Sequence, residues 1–396
     1  MDGVALTREQ ARHFMLLKQG LIGDRKFEGK QGVCDFIRQA GCIQYDPIDV
    51  CGKNAALVLQ SRVSGFTGEM LDELLYEDRR LIDYFDKNMS IFCVEDWKYF
   101  SRSREKHRLS GQSRDQVDSV ADEVMRTIRE NGFACSHDLQ MKETVNWSWS
   151  PTTLSRAALE TLYFRGDLII HHKKGAVKYY APAQDYLSPA ILNAPDPNPT
   201  DDDFMKWRLL RRIGAIGLLW CRPSDAWLGI EGLKSEDRRR IFTALLSEQR
   251  IIACSVEGVA DKLYFLREDE PLMQTALSVP CFKSRVEFIA PLDNLMWDRK
   301  LIRTLFGFDF KWEIYTPVSQ RKYGYYVLPV LFGSRFAGRI ELAADRRAGR
   351  LHMRGFWKEA GAELGPGFDN ELQSRLLDFA RFHHCEMADG AWAPPA

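Results

Sequence analysis

The chain of 396 residues carries no excess of either charge: Lys and Arg total 55, as do Asp and Glu. No overall field therefore points to a nucleic acid, a membrane or an acidic partner, and any polyanion site must be a local patch. Among the nine cysteines there is no CxxC pair, which argues against both a zinc ribbon and a disulfide framework. Reduced thiols are the expectation. No run of about 18 apolar residues occurs, and the opening "MDGVALTREQARHF" lacks a basic start followed by an apolar stretch. A cytoplasmic, unprocessed protein without a membrane segment is expected. What the chain does contain, 45% hydrophobic and 28% charged residues, is ordinary for a globular protein of several domains.

The clearest internal boundary is "SPAILNAPDPNPTDDD", residues 188–203, where prolines and an acidic triplet replace any apolar period and predict a linker. On either side stands one pattern used twice, "SRAALETLYFRGDLIIHHKKGAVKYYAP" and "SEDRRRIFTALLSEQRIIACSVEGVADKLYFL". Each reads as an amphipathic helix, a strand, a polar turn and a second strand, which is the signature of a winged helix. A further helical segment lies upstream of each copy, at 117–129 and 204–213, and supplies the rest of a helix-turn-helix. The first hundred residues read similarly, with "QGVCDFIRQAG" as the inner helix, "EMLDELLYEDRR" as a later helix and "LIDYFDKNMSIFCVED" as the wing.

Beyond Arg285 the character changes. "WEIYTPV", "YGYYVLPVLF", "RFAGRIELAAD" and "RLHMRGFWKE" are β-rich runs, "FGSR" is a tight hairpin, and "DNELQSRLLDFARFHH" is a closing helix. The expected fold class is α+β, tandem winged-helix units followed by a C-terminal β-barrel. Its divisions are 1–115, 116–187, the linker 188–203, 204–270, and the barrel with its helix over 283–396.

Chemistry concentrates in "GCIQYDPIDV", residues 41–50. In an extended segment Gln44 and Asp46 share one face while Ile43 and Tyr45 pack on the other, and Pro47 holds Asp46 out of the helical region. Spacing alone fits two readings: a pair aimed at a substrate, or a helix-capping Asp beside a surface amide. Basic residues suited to phosphate follow at Lys53, with Asn54 beside it, and at Arg62; each also fits a solvated face. "SQRKYGYY" interleaves Arg321 and Lys322 with Tyr323, Tyr325 and Tyr326, the composition of a hairpin lying along a phosphate backbone, or of an ordinary edge strand. The pairs His171–His172 and His383–His384 with Cys385 fit no common zinc spacing, so no metal ligands are expected. Asp293 and Asp298 near Trp297 read as braces of the barrel.

The runs "CIQYDPIDVCGKNAALVLQSRV", "YFDKNMSIFCVEDW", "ALETLYFRGDLII" and above all "FIAPLDNLMWDRKLIRTLFGFDFKWEIYTPVSQRKYGYYVLPVLF" resemble the YcaQ/AlkZ-type winged-helix DNA glycosylases. The resemblance runs from about Arg12 to Phe356, and the Gln-hydrophobic-Asp form at Gln44, Tyr45 and Asp46 is similar to the YcaQ-like branch. It implies a row of winged helices forming a concave DNA-binding face, and excision of bulky alkylated purines together with unhooking of interstrand crosslinks. The chain departs from the family pattern at Lys53, Asn54, Ala55 and Ala56, where many relatives carry a basic residue and then histidines. It departs again at Lys87 and Asn88, in place of His and Glu.

On this resemblance Asp46 is the catalytic carboxylate, which stabilises an oxocarbenium-like sugar and orients or deprotonates water, and Gln44 holds that water or the sugar. DNA contacts are expected from Lys53, Asn54, Arg62, Arg321, Lys322 and Tyr323. N7-alkylguanine already carries positive charge, so its departure needs no acid. The expected enzyme is a monofunctional glycosylase that uses no metal or cofactor and acts as a monomer on alkylated double-stranded DNA. The alternative is a non-catalytic winged-helix transcriptional regulator.

Overall fold

Thr7 opens the first helix, Arg8–Gln19, by accepting a hydrogen bond from the Gln10 backbone N–H while the Gln10 side chain reaches back to the Thr7 N–H. This reciprocal cap satisfies two of the donors that every helix start leaves open. The computed structural model describes residues 4–388 apart from 112, 148, 149, 363 and 366. The chain divides into two units. One comprises 1–71, 85–91 and 205–396, and the other 72–84 and 92–204.

In the first unit the repeated helix-and-hairpin pattern appears as the helix Asp201–Ile216, which belongs to this unit from Met205 on, the helix Ser235–Ser247 and the strands Ile251–Val256 and Leu263–Leu266. That hairpin is widened to four strands by Leu219–Trp220 on one side and, in parallel, by Val4–Leu6 on the other. In the second unit the same pattern is the helices Arg114–Asn131 and Leu154–Arg165 with the strands Leu168–Lys174 and Val177–Pro182. The N-terminal copy has the helices Gly29–Ala40 and Gly68–Tyr76 and the strands Leu81–Asp86 and Asn88–Cys93.

The acidic triplet Asp201, Asp202 and Asp203 is not linker. It forms the first turn of the helix Asp201–Ile216, where carboxylates meet the positive end of the helix dipole, and the Thr200 hydroxyl accepts from the Asp203 N–H.

The C-terminal sheet has five strands in the order Val286–Phe288, Val327–Phe332, Arg335–Asp345, Arg350–Lys358 and Glu386–Met387. Register shifts at Val330/Leu331 and at Glu341/Leu342 are bulges that increase bend and twist, so the sheet curls. Among the described residues it does not close: its outer strands have three and two residues and are not paired to each other, which makes a half-barrel of the expected barrel. The helix Phe368–Phe382 buries Leu372, Leu376 and Phe379. The expected strand over "WEIYTPV" is absent. That segment is an irregular loop running into a short 3-10 turn at Val318–Gln320.

Candidate active site

The helix Gly29–Ala40 stops at Gly41, whose φ of 76° any other residue adopts only with strain and where a side chain would run into Arg211. The chain then enters the strand Ile43–Gln44, which pairs antiparallel with the strand Asn88–Cys93, Ile43 opposite Ile91 and Gln44 opposite Ser90. A further bond from the Tyr45 N–H to the Met89 carbonyl, 2.9 Å, extends the pairing by one residue. The alternation expected from an extended segment stops there. Ile43 and Gln44 are both buried, while Tyr45 and Asp46 are both half-exposed.

The reading as a helix-capping Asp beside a surface amide fails on both counts. Gln44 is 3% exposed, so it is no surface amide. Its backbone carbonyl accepts from the Asn54 side chain at 2.9 Å, and its side-chain oxygen accepts from Lys87 Nζ at 3.3 Å. Asp46 caps no helix. One carboxylate oxygen accepts from the Ile48 N–H at 2.9 Å, an Asx turn across Pro47, and the carboxylate remains half-exposed. Burial raises its pKa, and the Ile48 N–H only partly opposes that rise.

Lys87 occupies the turn of the N-terminal hairpin, where Asn88 takes a positive φ of 57°. Its side chain is buried, with Nζ 5.2 Å from the centre of the Trp297 ring. Burial, and then the charge of Arg212, lowers its pKa to about 8. The neighbouring Asp86 gives it no relief. Burial acts to raise the Asp86 pKa, but Arg212, Arg208 and Arg211 surround that carboxylate and hold it well below the ordinary range. The buried Tyr326 has its phenol pushed up by burial and then by Cys51, Asp46 and Asp49.

Two expected DNA contacts are internal. Arg62 has no exposed surface. Its guanidinium makes a two-pronged ion pair with Asp293 at 2.9 and 2.7 Å and donates to the Val58 carbonyl, the Ser61 hydroxyl and Gln19. Asn54 is likewise fully buried and ties the Gln44 carbonyl to the Leu292 N–H. A group without accessible surface meets no phosphate, so both residues brace the site.

Asp293 and Asp298 are braces as well: Asp298 accepts from Trp220 Nε1 at 2.6 Å and caps the helix Arg299–Phe306 through the Leu301 N–H. His171 and His172 join an aromatic cluster, with His171 stacked on Phe133 and His172 on Tyr179. Among the described residues no group of three His, Cys, Asp or Glu side chains is arranged to hold a metal ion.

Lys53 is half-exposed at the start of the helix Asn54–Gln60. The stretch with Arg321, Lys322 and Tyr323 is no hairpin. Its backbone N–H groups from Lys322 to Gly324 point at the Glu313 carboxylate, and those of Tyr325 and Tyr326 at Glu341. Burial of Glu313 acts to raise its pKa, but the three N–H donors win and lower it. This clamp leaves Lys322 exposed and Arg321 half-exposed over the Tyr325 ring. It also presents Tyr315, 85% exposed, and Val318, 77% exposed, which sequence reading did not single out. In the sequence Lys87 stands out only as a departure from the family pattern. No local signal links it to Gln44.

The model of the AlkZ-like DNA glycosylase family matches residues 37–382. Among solved structures, the fold is similar to that of the Streptomyces sahachiroi DNA glycosylase AlkZ, with a TM-score of 0.62 and 16% identity over 97% of this chain and 100% of that one.

Proposed function

We propose, for a chain that belongs to the AlkZ-like DNA glycosylase family, that it hydrolyses the N-glycosidic bond of alkylated purines in double-stranded DNA, both N7-alkylguanine monoadducts and interstrand crosslinks. The observation that carries this reading is a half-exposed carboxylate at Asp46 two residues along from a buried amide at Gln44 that is held at its backbone and at its side chain. Cleavage builds positive charge on the sugar. Asp46 stabilises that charge and orients or deprotonates the attacking water, and Gln44 positions the water or the sugar without competing for the proton.

The departing N7-alkylguanine leaves neutral because it began cationic, so the chemistry needs no protonated group aimed at the base. No amine attacks the sugar, which makes the enzyme monofunctional, and neither metal nor cofactor enters the mechanism. The helix-and-hairpin copies act as winged helices that bind double-stranded DNA, and the enzyme is a monomer. Lys53, Arg321, Lys322 and Tyr323, with the exposed Tyr315 and Val318 nearby in sequence, contact DNA and give affinity without sequence preference.

The test is incubation with a duplex crosslinked by a nitrogen mustard, followed by heating in alkali to break abasic sites. Strand separation with cleavage at the crosslinked guanine is expected. Tight binding to a preferred undamaged sequence with no product would instead identify a regulator.

A further inference from the structure

We propose that Lys87 is a positioning residue for the glycosylase reaction, fixing the orientation of the Gln44 side-chain amide so that its N–H₂ end, and not its oxygen, faces the reacting centre. The inference rests on the assignment of Gln44 and Asp46 as the catalytic pair and adds a residue that acts through Gln44.

A primary amide has an accepting end and a donating end of nearly identical shape, so a buried Gln is oriented only by what its neighbours demand. An ammonium group has three donors and no acceptor. Lys87 Nζ lies 3.3 Å from Gln44 Oε1, and a flipped amide would bring N–H against N–H there. The amide oxygen is thus committed to Lys87. What Gln44 offers elsewhere is donors, which complement the acceptor Asp46: a water between them gives its proton to the carboxylate and accepts from the amide.

Lys87 is itself held for this task. Its carbonyl accepts from the Ser90 hydroxyl at 3.0 Å, and its stem runs to the face of Trp297. Among the described residues, Gln44 Oε1 is the one hydrogen-bond acceptor its ammonium meets. The Asp86 carboxylate next to it in sequence is taken by Arg208, Arg211 and Arg212.

The arrangement makes the reaction sensitive to pH. The groups facing Lys87 are Arg212 on the helix Asp201–Ile216, Cys42 beside the site strand, Asp225 on its 3-10 turn and Arg299 at the start of the next helix. Burial and Asp86 hold the Cys42 thiol above its usual range, so it stays neutral where Lys87 titrates. Burial and the two arginines outweigh Asp225, and the ammonium loses its proton at about 8. A neutral amine both donates and accepts, so it no longer rejects the flipped amide. The charge-assisted part of the bond is lost with it.

The experiment measures single-turnover release of N7-methylguanine from a defined duplex between pH 6 and 9.5, with duplex affinity and thermal denaturation alongside. Four proteins are compared: wild type, Lys87→Met, Gln44→Ala and the double variant. Wild type is expected to slow as pH rises through about 8. Lys87→Met should be slower by about tenfold at pH 7, with duplex affinity and melting temperature kept, and should lack the alkaline limb. In the Gln44→Ala background, Lys87→Met should add nothing, because the two act as a unit. Wild-type rates in Lys87→Met, an alkaline limb that persists in it, or losses that multiply in the double variant would each overturn the positioning role. Failure of the wild type to release the base would overturn the catalytic assignment itself, and with it this inference.

Discussion

Replacing Arg62 by Met separates a bracing arginine from a DNA-contacting one. Both Arg62 and Asp293 have side chains without exposed surface, joined by bonds of 2.9 and 2.7 Å. The guanidinium also packs over the Phe36 ring at 4.9 Å, an area that Met largely refills. Among the described residues, what Met leaves behind is a buried carboxylate whose remaining hydrogen bond comes from the Leu295 N–H at 2.9 Å. Breaking one side of a buried pair costs about 3–5 kcal/mol, because the surviving charge is uncompensated. An exposed arginine away from such features changes stability by only about 0.5 kcal/mol.

Replacing both partners, Arg62→Met with Asp293→Leu, should recover most of the loss, since no buried charge remains. A residue of about 1 kcal/mol should persist from the Leu295 N–H that Asp293 caps. Urea denaturation of both variants against wild type measures these differences. Duplex affinity across a salt series measures the other half, because a lost phosphate contact reduces the slope of log K against log salt by about 0.9. The slope should not change. An Arg62→Met protein that keeps wild-type stability yet loses about one unit of salt slope would refute the reasoning and return Arg62 to the DNA interface.

Asp46→Asn should keep duplex affinity and lose turnover by about a hundredfold or more, as when a positioned base and charge stabiliser is removed. The wild-type rate should climb as pH rises through the Asp46 pKa, which burial raises from its ordinary value, as the carboxylate ionises; Asp46→Asn should lack this acid limb in a pH–rate profile. Arg321→Ala with Lys322→Ala should flatten the salt slope by up to about 1.8, and an unchanged slope would make the clamped loop purely structural. Assayed by base release on matched duplexes, N7-methylguanine and N7-mustard adducts should be excised while uracil is left in place; efficient uracil excision would reveal a proton donor aimed at the base.

The helix-and-hairpin units were legible because their signals are local and periodic. Ala158 and Leu162 sit one turn apart on one helix face and are buried, and the polar turn between Lys174 and Val177 separates the two strands as the residue pattern requires. The Gln44–Asp46 stretch was legible in its position and only half so in its geometry. Alternation predicts a shared face, but the Asp46 carboxylate folds back onto the Ile48 N–H and takes a direction that no strand period encodes. "WEIYTPV" failed for a related reason. Its residues have the β-branched and aromatic composition of a strand, yet Glu313 within it supplies acceptors to a backbone nine to eleven positions on, and a side chain replaces the ladder. The electrostatic frame has no period at all. Arg62 lies 231 residues from Asp293, and Lys87 lies 43 from Gln44. Each charge, seen alone in the sequence, looks like a solvated face or a phosphate ligand. Only the fold decides that the first pair is fully buried while the second joins a buried lysine to the buried Gln44 amide.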